Sequence, residues 1–221
     1  MAELRVKSTG TLKLFESDNT SSVTIASPAS LGADRTITLP DASVTLASGT
    51  MLATDGDGSS LTGLTPGITA ASQWRLTTSF TGAAAPIASN LEEVDTDGYG
   101  TLGSSMTESS GIFTFPSTGY WLIEFTGEWW YSGDSRYNQA KIHTTTDDNT
   151  YDSAAASTGG IAQAESSSTH TNGKASFIFD VTSTSTHKVR FCVAQSDASV
   201  TVYGSATVNL THMTFIRLGD T

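Results

Sequence analysis

Residues 111–125 read GIFTFPSTGYWLIEF and continue as TGEWWY to Tyr131. Large apolar side chains occupy every second position of this stretch, which is the period of a half-buried β-strand. One face of the longer run holds five residues: Trp121, Ile123, Phe125, Gly127 and Trp129. Turn-forming residues at Pro116–Gly119 separate this run from Ile112–Phe115. We predict that Ile112–Phe115 and Tyr120–Tyr131 form a hairpin-like pair.

Later stretches of the chain repeat the same alternation. Apolar residues recur at every second position in parts of four ranges: Phe177–Val181, Val189–Val193, Val200–Val202 and Val208–Leu218. In the last range, Met213 and Phe215 share one face. No stretch carries the 3.6-residue stripe of a helix longer than a turn or two. The pattern predicts an all-β protein whose residues 71–221 form an antiparallel jelly-roll β-sandwich. Thr144–Asn172 is poor in large apolar residues, and we predict long polar loops there.

The composition narrows the range of functions. The 221 residues include 11 Lys and Arg against 22 Asp and Glu, a formal net charge of −11. Because binding to nucleic-acid phosphates needs concentrated Lys and Arg, we expect no nucleic-acid partner. No run approaches the roughly 20 apolar residues of a membrane span, so we expect no membrane insertion. Ser and Thr together number 67, which fits short strands joined by many turns.

Residues 1–70 contain fewer large apolar side chains that could form a core than the rest of the chain does. Four short alternating runs occur there: Leu12–Phe15, Ser22–Ala26, Arg35–Leu39 and Ser43–Leu46. Strands this short bury too little apolar surface to be stable alone. We predict an attachment segment at residues 1–70, with a Gly/Ser/Asp-rich linker at about 54–70, and a head domain at residues 71–221. The side chains expected at the docking contact are Leu12, Leu14, Phe15, Val23, Ile25, Ile37 and Leu39.

The stretch at residues 111–125 resembles the signature of the tumour-necrosis-factor/complement globular-head superfamily. That signature has an aromatic residue, a nearby proline, and then Gly-x-aromatic-x-aromatic. The matching positions are Phe113, Pro116, Gly119, Trp121 and Ile123. Trp121 stands where the family usually has Tyr, and Ile123 where it usually has Phe. The resemblance implies a ten-stranded jelly roll that assembles as a homotrimer and binds partners without catalysis.

The N-terminal part is similar to a segment that recurs in bacteriophage fibre proteins. The matching positions are Gly10, Thr11, Lys13, Leu14, Phe15, Glu16, Asn19, Pro28, Ala29, Thr38, Leu39, Pro40, Thr54, Asp55 and Gly56. In place of the longer bridge that usually precedes the position of Thr54, this chain has SGTMLA. The resemblance implies a virion location and other virion proteins, of the capsid or tail, as partners.

The sequence Glu128-Trp-Trp-Tyr131 marks a candidate interaction surface. Consecutive strand residues point to opposite faces, so Trp130 faces outward if Trp129 and Tyr131 face the core. An outward Trp fits a trimer interface, a glycan-stacking surface or packing under a loop. We assign Trp130, Tyr131 and His212 to a trimer interface or a glycan contact.

The span Thr144–Asn172 supplies a second candidate surface. Its residues Asp147, Asp148, Tyr151 and Asp152 are suited to binding sugar hydroxyls, with or without calcium. We expect a surface recognition loop there.

Patterns that suggest catalysis or metal binding are explained equally well by turns. Gly98–Gly103 (GYGTLG) has the spacing of a dinucleotide loop but lacks the strand and helix that such a loop joins. The histidines and the single Cys192 lack zinc-ligand spacing. Two Asp-Gly fragments, at residues 55–59 and 95–98, lack the Glu that completes a calcium loop. We expect no enzyme, no metal site and no cofactor, with calcium as the remaining alternative.

Together these observations predict a non-catalytic bacteriophage virion protein. It would be a short trimeric fibre or a capsid decoration protein that docks by its N-terminal part and displays the jelly-roll head for stabilisation or host-surface binding. The alternatives are a carbohydrate-binding lectin-like jelly roll and, third, a polysaccharide depolymerase.

Overall fold

A computed structural model describes residues 11–15, 17, 20, 22–26 and 67–221 of the chain. These residues form antiparallel β-structure, and the described part contains no helix. It therefore also contains no helix that could cross a membrane. The described residues belong to two units, which divide between Leu61 and Thr62. The all-β fold class predicted from the alternating pattern is confirmed.

The first unit contributes one two-stranded hairpin. Strand β1 (Thr11–Phe15) pairs antiparallel with β2 (Ser22–Ala26), with Leu12 opposite Ile25 and Leu14 opposite Val23. The predicted strands at Leu12–Phe15 and Ser22–Ala26 are thus present. The predicted strands at Arg35–Leu39 and Ser43–Leu46 lie outside the described residues.

The described part of the second unit contains twelve strands, β3–β14 in chain order, two more than the ten that the family resemblance implied. Their bounds are β3 Ala71–Leu76, β4 Thr78–Thr81, β5 Leu91–Glu93, β6 Thr107–Ser109, β7 Ile112–Thr114, β8 Gly119–Tyr131, β9 Ser135–Thr145, β10 Asp152–Ile161, β11 Thr169–Val181, β12 Lys188–Gln195, β13 Thr201–Ser205 and β14 His212–Gly219. The longest, β8 and β11, each have 13 residues.

These strands build two antiparallel sheets. Sheet I has five strands in the order β10-β9-β12-β7-β6. Sheet II has seven strands in the order β4-β13-β8-β14-β3-β5, and β11 pairs with the other edge of β8. Strands adjacent in space are mostly distant in sequence, as in a jelly roll. β8 is the centre of sheet II because β11, β13 and β14 all pair with it.

The core lies between the two sheets and is dominated by aromatic rings. Phe113 and Phe191 come from sheet I, while Phe125 and Phe215 come from sheet II, and all four are buried. The ring centroids of Phe191 lie 5.1 Å from Phe125, 5.3 Å from Phe113 and 5.8 Å from Phe215. Aromatic pairs at such distances are stabilising beyond the area that they bury. Phe191 therefore connects the two sheets.

The hairpin predicted from residues 111–131 is wrong. Strand β7 (Ile112–Thr114) pairs with β6 and β12 in sheet I, whereas β8 belongs to sheet II. Pro116–Gly119 therefore lies where the chain passes from one sheet to the other. The alternating apolar residues favoured the wrong pairing because Ile112–Phe115 and Tyr120–Tyr131 both turn an apolar face toward the same core, although they belong to different sheets. Phe115 and Trp121 meet there with ring centroids 5.3 Å apart.

The long polar loops predicted for Thr144–Asn172 are also wrong. This span contains all of β10 and the beginning of β11, and the connecting segments cover only residues 146–151 and 162–168. Strand β10 (DSAAASTGGI) has Ile161 as its single large apolar residue because it is an edge strand of sheet I, paired with β9 alone among the described strands. Backbone hydrogen bonds hold such a strand, so its side chains give a weak signal.

Candidate interaction surfaces

Strand β8 separates the core of the second unit from its outer surface. Five of its residues face inward and are fully or almost fully buried, as predicted: Trp121, Ile123, Phe125, Gly127 and Trp129. The residues that alternate with them face outward on sheet II. The outer face of β8 therefore carries Tyr120, Leu122, Glu124, Thr126, Glu128 and Trp130.

An apolar row crosses the outer face of sheet II near the start of β8. The row consists of Ile178, Leu122, Ile216 and Ala71, which are direct cross-strand partners on β11, β8, β14 and β3. Ile178 is 57% exposed, and the neighbouring Tyr120 and Leu218 are each 42% exposed. Large apolar side chains grouped on one face in this way are typical of interaction sites.

Charged residues occupy the middle of the same face. Lys174 Nζ lies 2.8 Å from Glu124 Oε1, and His170 Nδ1 lies 3.8 Å from Glu128 Oε1. Lys174 and Glu124 are both partly exposed, so this ion pair contributes little to stability. The pairs separate the apolar row from the far end of the face.

An aromatic group lies at that far end. Trp130 has His170 as its cross-strand partner on β11 and Thr201 as its partner on β13. The His170 and Tyr203 rings lie with centroids 5.8 Å apart. Trp130 is partly exposed, as expected from the alternation. We call Trp130, His170 and Tyr203 the aromatic end.

The three residues assigned to a trimer interface or glycan contact lie in different settings, and their role in such a contact stays a prediction. Tyr131 packs against the core, and its hydroxyl donates to Asp197 Oδ2 at 3.1 Å. His212 lies opposite Thr126 on β14, so about 13 Å of strand separates its register position from that of Trp130. The His212 Nδ1 atom donates to the carbonyl oxygen of Leu210 at 3.0 Å.

The predicted recognition loop is a short, self-contained turn. Asp147 accepts hydrogen bonds from the Thr145 hydroxyl at 2.7 Å and from the backbone amides of Thr150 at 2.8 Å and Asn149 at 2.9 Å. These donors, with the Thr145 hydroxyl as the largest cause, lower the pKa of Asp147 to about 2. The carboxylate of Asp147 is therefore already used in holding the turn.

The other three residues of that predicted loop lie close to Asp147 in sequence but differ in setting. Asp148 is exposed and has a positive φ of 58°. Tyr151 is partly buried, and its ring lies 4.3 Å from the guanidinium carbon of Arg190. Asp152 is the exposed first residue of β10.

The residues expected to dock on a partner fall in the first unit. Leu12, Leu14 and Phe15 belong to β1, and Val23 and Ile25 belong to β2. Their expected burial at a contact stays a prediction. Ile37 and Leu39 lie outside the described residues.

The glycine-rich stretch Gly98–Gly103 forms turns and no helix. Tyr99 and Gly98 border an open hollow of about 390 Å³, which Gln73, Thr96 and Asn209 also line. The Tyr99 hydroxyl accepts a hydrogen bond from the backbone amide of Gln73 at 2.9 Å, closing the edge of β3. Because a dinucleotide site needs a helix N-terminus after the glycines, this stretch lacks that architecture.

No group of three or more His, Cys, Asp or Glu side chains converges as a metal site among the residues that the structure describes. His187, for example, stacks on Phe179 with ring centroids 5.5 Å apart and is hydrogen-bonded to Thr182 and Thr186. Packing and hydrogen bonding therefore account for the position of His187.

Sequence reasoning missed the apolar row and the aromatic end as groups. It predicted that Trp130 faces outward, but the neighbours His170 and Tyr203 come from distant strands, and so do Ile178 and Ile216 of the apolar row. The alternation in β11 could have indicated that Ile178 faces outward. Nothing in the sequence could have shown which strand lies beside it.

Comparisons with known proteins place the fold. No protein-family model matches the chain, and no curated protein matches it in sequence. The solved structure of Eiger TNF from S. frugiperda is similar, with 11% identity and a TM-score of 0.50, covering 71% of this chain and 96% of that one. Murine APRIL at pH 8.5 gives 8% identity and a TM-score of 0.48, covering 67% and 98%. The described head has the antiparallel jelly-roll fold of tumour-necrosis-factor-type proteins, as the sequence resemblance implied.

Proposed function

We propose that the chain is a non-catalytic bacteriophage virion structural protein, a short trimeric fibre or a capsid decoration protein. In this proposal, residues 1–70 dock on other virion proteins of the capsid or tail. The jelly-roll head is displayed for stabilisation of the particle or for host-surface binding. The place of action is the virion, after synthesis and assembly in the host cytoplasm.

The observation that carries the proposal is the apolar row on the outer face of sheet II. Ile178 and Leu122 lie on a solvent-exposed surface of the isolated chain, next to the exposed Tyr120. Contact with further copies of the chain would remove this area from water, at about 25 cal/mol per Å². A closed ring of three copies is consistent with the resemblance to trimeric jelly rolls and leaves no unpaired contact.

The hairpin β1–β2 supports the docking role. It has only two strands of five residues each. A two-stranded hairpin is marginally stable in water and gains stability when a partner covers one face. Together with the fibre-like sequence of residues 10–56, this favours a segment that acts by binding to another virion protein.

The structural roles of two adjacent carboxylates, those of Glu92 and Glu93, support a non-catalytic function. Glu92 binds the guanidinium of the buried Arg75 at 2.7 Å. The neighbouring Glu93 accepts hydrogen bonds from Tyr99 and Thr101. Each of these carboxylates is thus engaged with its own neighbours.

Mass spectrometry of purified virions, combined with deletion of residues 1–70, tests the proposal. We expect the full chain in the particle, and we expect the truncated chain to fold and self-associate without entering the particle. Absence of the full chain from virions would contradict the virion role. Normal incorporation of the truncated chain would place the docking contact in the head instead.

A carbohydrate-binding lectin-like protein is the second candidate, and the aromatic end favours it. Sugar rings stack on aromatic faces, and Trp130 lies beside His170 with Glu128 near enough to bind a hydroxyl. Glycan-array binding by the wild-type protein, lost in Trp130→Ala with an unchanged oligomeric state, would support this function. Cleavage of capsule polysaccharide by the pure protein would instead indicate a depolymerase.

A further inference from the structure

We infer that the outer face of sheet I carries a binding site for a tetrahedral oxyanion, a phosphate or sulfate group, held by Lys141, His143 and Arg190. This inference does not depend on the proposed virion function. Lys141 and His143 lie on β9, and their direct cross-strand partners on β12 are Cys192 and Arg190. Side chains opposite each other in an antiparallel pair are about 5 Å apart at Cβ. The four residues therefore form one compact block.

The two cations of this block lack carboxylate partners. The chain has twice as many acidic as basic residues, and Arg75, Lys174 and Arg217 all form ion pairs. In the described part of the chain, by contrast, no carboxylate lies within 4 Å of Lys141 or Arg190. Two neighbouring positive charges repel each other, and an anion between them would remove this repulsion.

Unused hydrogen-bonding atoms concentrate at the same place. Six buried side-chain polar atoms of the described residues have no hydrogen-bond partner; three of them belong to the block, and a fourth belongs to Tyr151, which packs on Arg190. These four are Nδ1 and Nε2 of His143, Nε of Arg190 and the hydroxyl of Tyr151. The Tyr151 ring also covers the guanidinium of Arg190, at 4.3 Å from its carbon atom. Buried polar groups left unpaired are costly, and a ligand that paired with them would remove this cost.

The positive charges of the block act on the imidazole of His143. Burial lowers the pKa of His143, and the nearby charges of Arg190 and Lys141 lower it further, whereas Asp152 on β10 acts in the opposite direction. On β12, Lys188 donates to Thr114 and Thr184. Asp147 accepts the hydrogen bonds of its own turn. Burial raises the pKa of Tyr151, and the charges of the exposed Asp148 and of Asp147 raise it further, whereas Arg190 acts in the opposite direction.

The hydrogen-bond donors of the block determine which class of ligand fits it. A guanidinium presents a planar fork of N–H groups that fits two oxygens of a phosphate or sulfate, and an ammonium adds a point charge. The block contains two cations, the imidazole of His143 and the thiol of Cys192, whose pKa burial raises. The oxyanion can be a free ion or an ester group on a surface polysaccharide.

Titration of the full chain with inorganic phosphate tests the site, with the imidazole resonances of His143 observed by NMR. We expect saturable shifts and an increase in the pKa of His143, because a bound anion favours the imidazolium. Lys141→Gln and Arg190→Gln should each weaken binding by at least about tenfold, since each removes a charged hydrogen bond. Arg136→Gln, which removes the same charge from an exposed residue at the start of β9, should bind like wild type.

Three results would overturn the inference: no shift of His143 with phosphate, an unchanged affinity in Lys141→Gln, or an equal loss of affinity in Arg136→Gln. Lys141→Gln decides the question if Arg190→Gln fails to fold, because Lys141 is only partly buried. Glycerol 2-phosphate then identifies the source of the anion. Binding as tight as that of inorganic phosphate supports an ester on a polymer, and weaker binding supports a free ion.

Discussion

Replacing Ile178 by Asp tests whether the apolar row mediates self-association. Ile178 is 57% exposed in the isolated chain and lies between Phe177 and Phe179, whose side chains face the other way toward the core. The substitution therefore leaves the core untouched. Exposed substitutions of this kind change the free energy of unfolding by about 0.5 kcal/mol or less.

The expected loss follows from the exposed fraction. Burying a whole Ile side chain contributes about 1.5–3 kcal/mol, so covering the exposed 57% of Ile178 contributes about 1–2 kcal/mol per subunit. Three copies in a trimer give about 3–5 kcal/mol. Asp removes this contribution and adds a carboxylate that must lose water, at a further cost of several kcal/mol. We expect Ile178→Asp to be monomeric at micromolar concentration.

Light scattering of the eluted protein measures the mass, and denaturant unfolding checks the fold. The matched control is Val208→Asp, which adds the same charge at a side chain that is 55% exposed and lies outside the apolar row. The control should stay trimeric. A trimer that survives Ile178→Asp, or a wild-type chain that is monomeric, would refute the reasoning.

Three further predictions concern the fold and its turns. Phe191→Ala should lower the free energy of unfolding by about 3–5 kcal/mol, because the Phe191 ring connects the two sheets; an effect below about 1 kcal/mol in denaturant titration would contradict the packing. Gly111→Ala should lower the free energy of unfolding by at least about 1–2 kcal/mol, since φ is +82° and the added Cβ would lie 2.3 Å from the carbonyl oxygen of Ile87. An unchanged melting temperature in this variant would contradict the prediction. The lowered pKa of Asp147 stabilises the fold above its ordinary value of 3.8, and this contribution is lost as the pH falls toward 2. Thr145→Val should raise that pKa in an NMR titration, and an unmoved midpoint would exclude the hydroxyl as its main cause.

The local pattern of the sequence determined which residues face the core. The two-residue period in residues 120–131 separated the buried Trp129 from the partly exposed Trp130. The same period placed Met213 and Phe215 on one face, and the structure buries both. Such assignments succeed because successive side chains of any strand point to opposite faces, whatever its partner is.

The partners of the strands were decided only by the tertiary structure. The alternation of Ile112–Phe115 and Tyr120–Tyr131 is the same in a hairpin as in two sheets that share one core, so the sequence favoured the wrong pairing. Strand β10 was missed because its sequence shows little alternation. An edge strand is held by backbone hydrogen bonds and needs few large apolar side chains.

Both candidate surfaces on the head depend on this long-range pairing. The apolar row unites Leu122, Ile178 and Ile216, and the oxyanion block unites His143 with Arg190, from strands far apart in the chain. The sequence determined the faces, because a face is set by the local geometry of the backbone. The tertiary structure alone decided the neighbours, because register between distant strands is set by how both sheets fill one core.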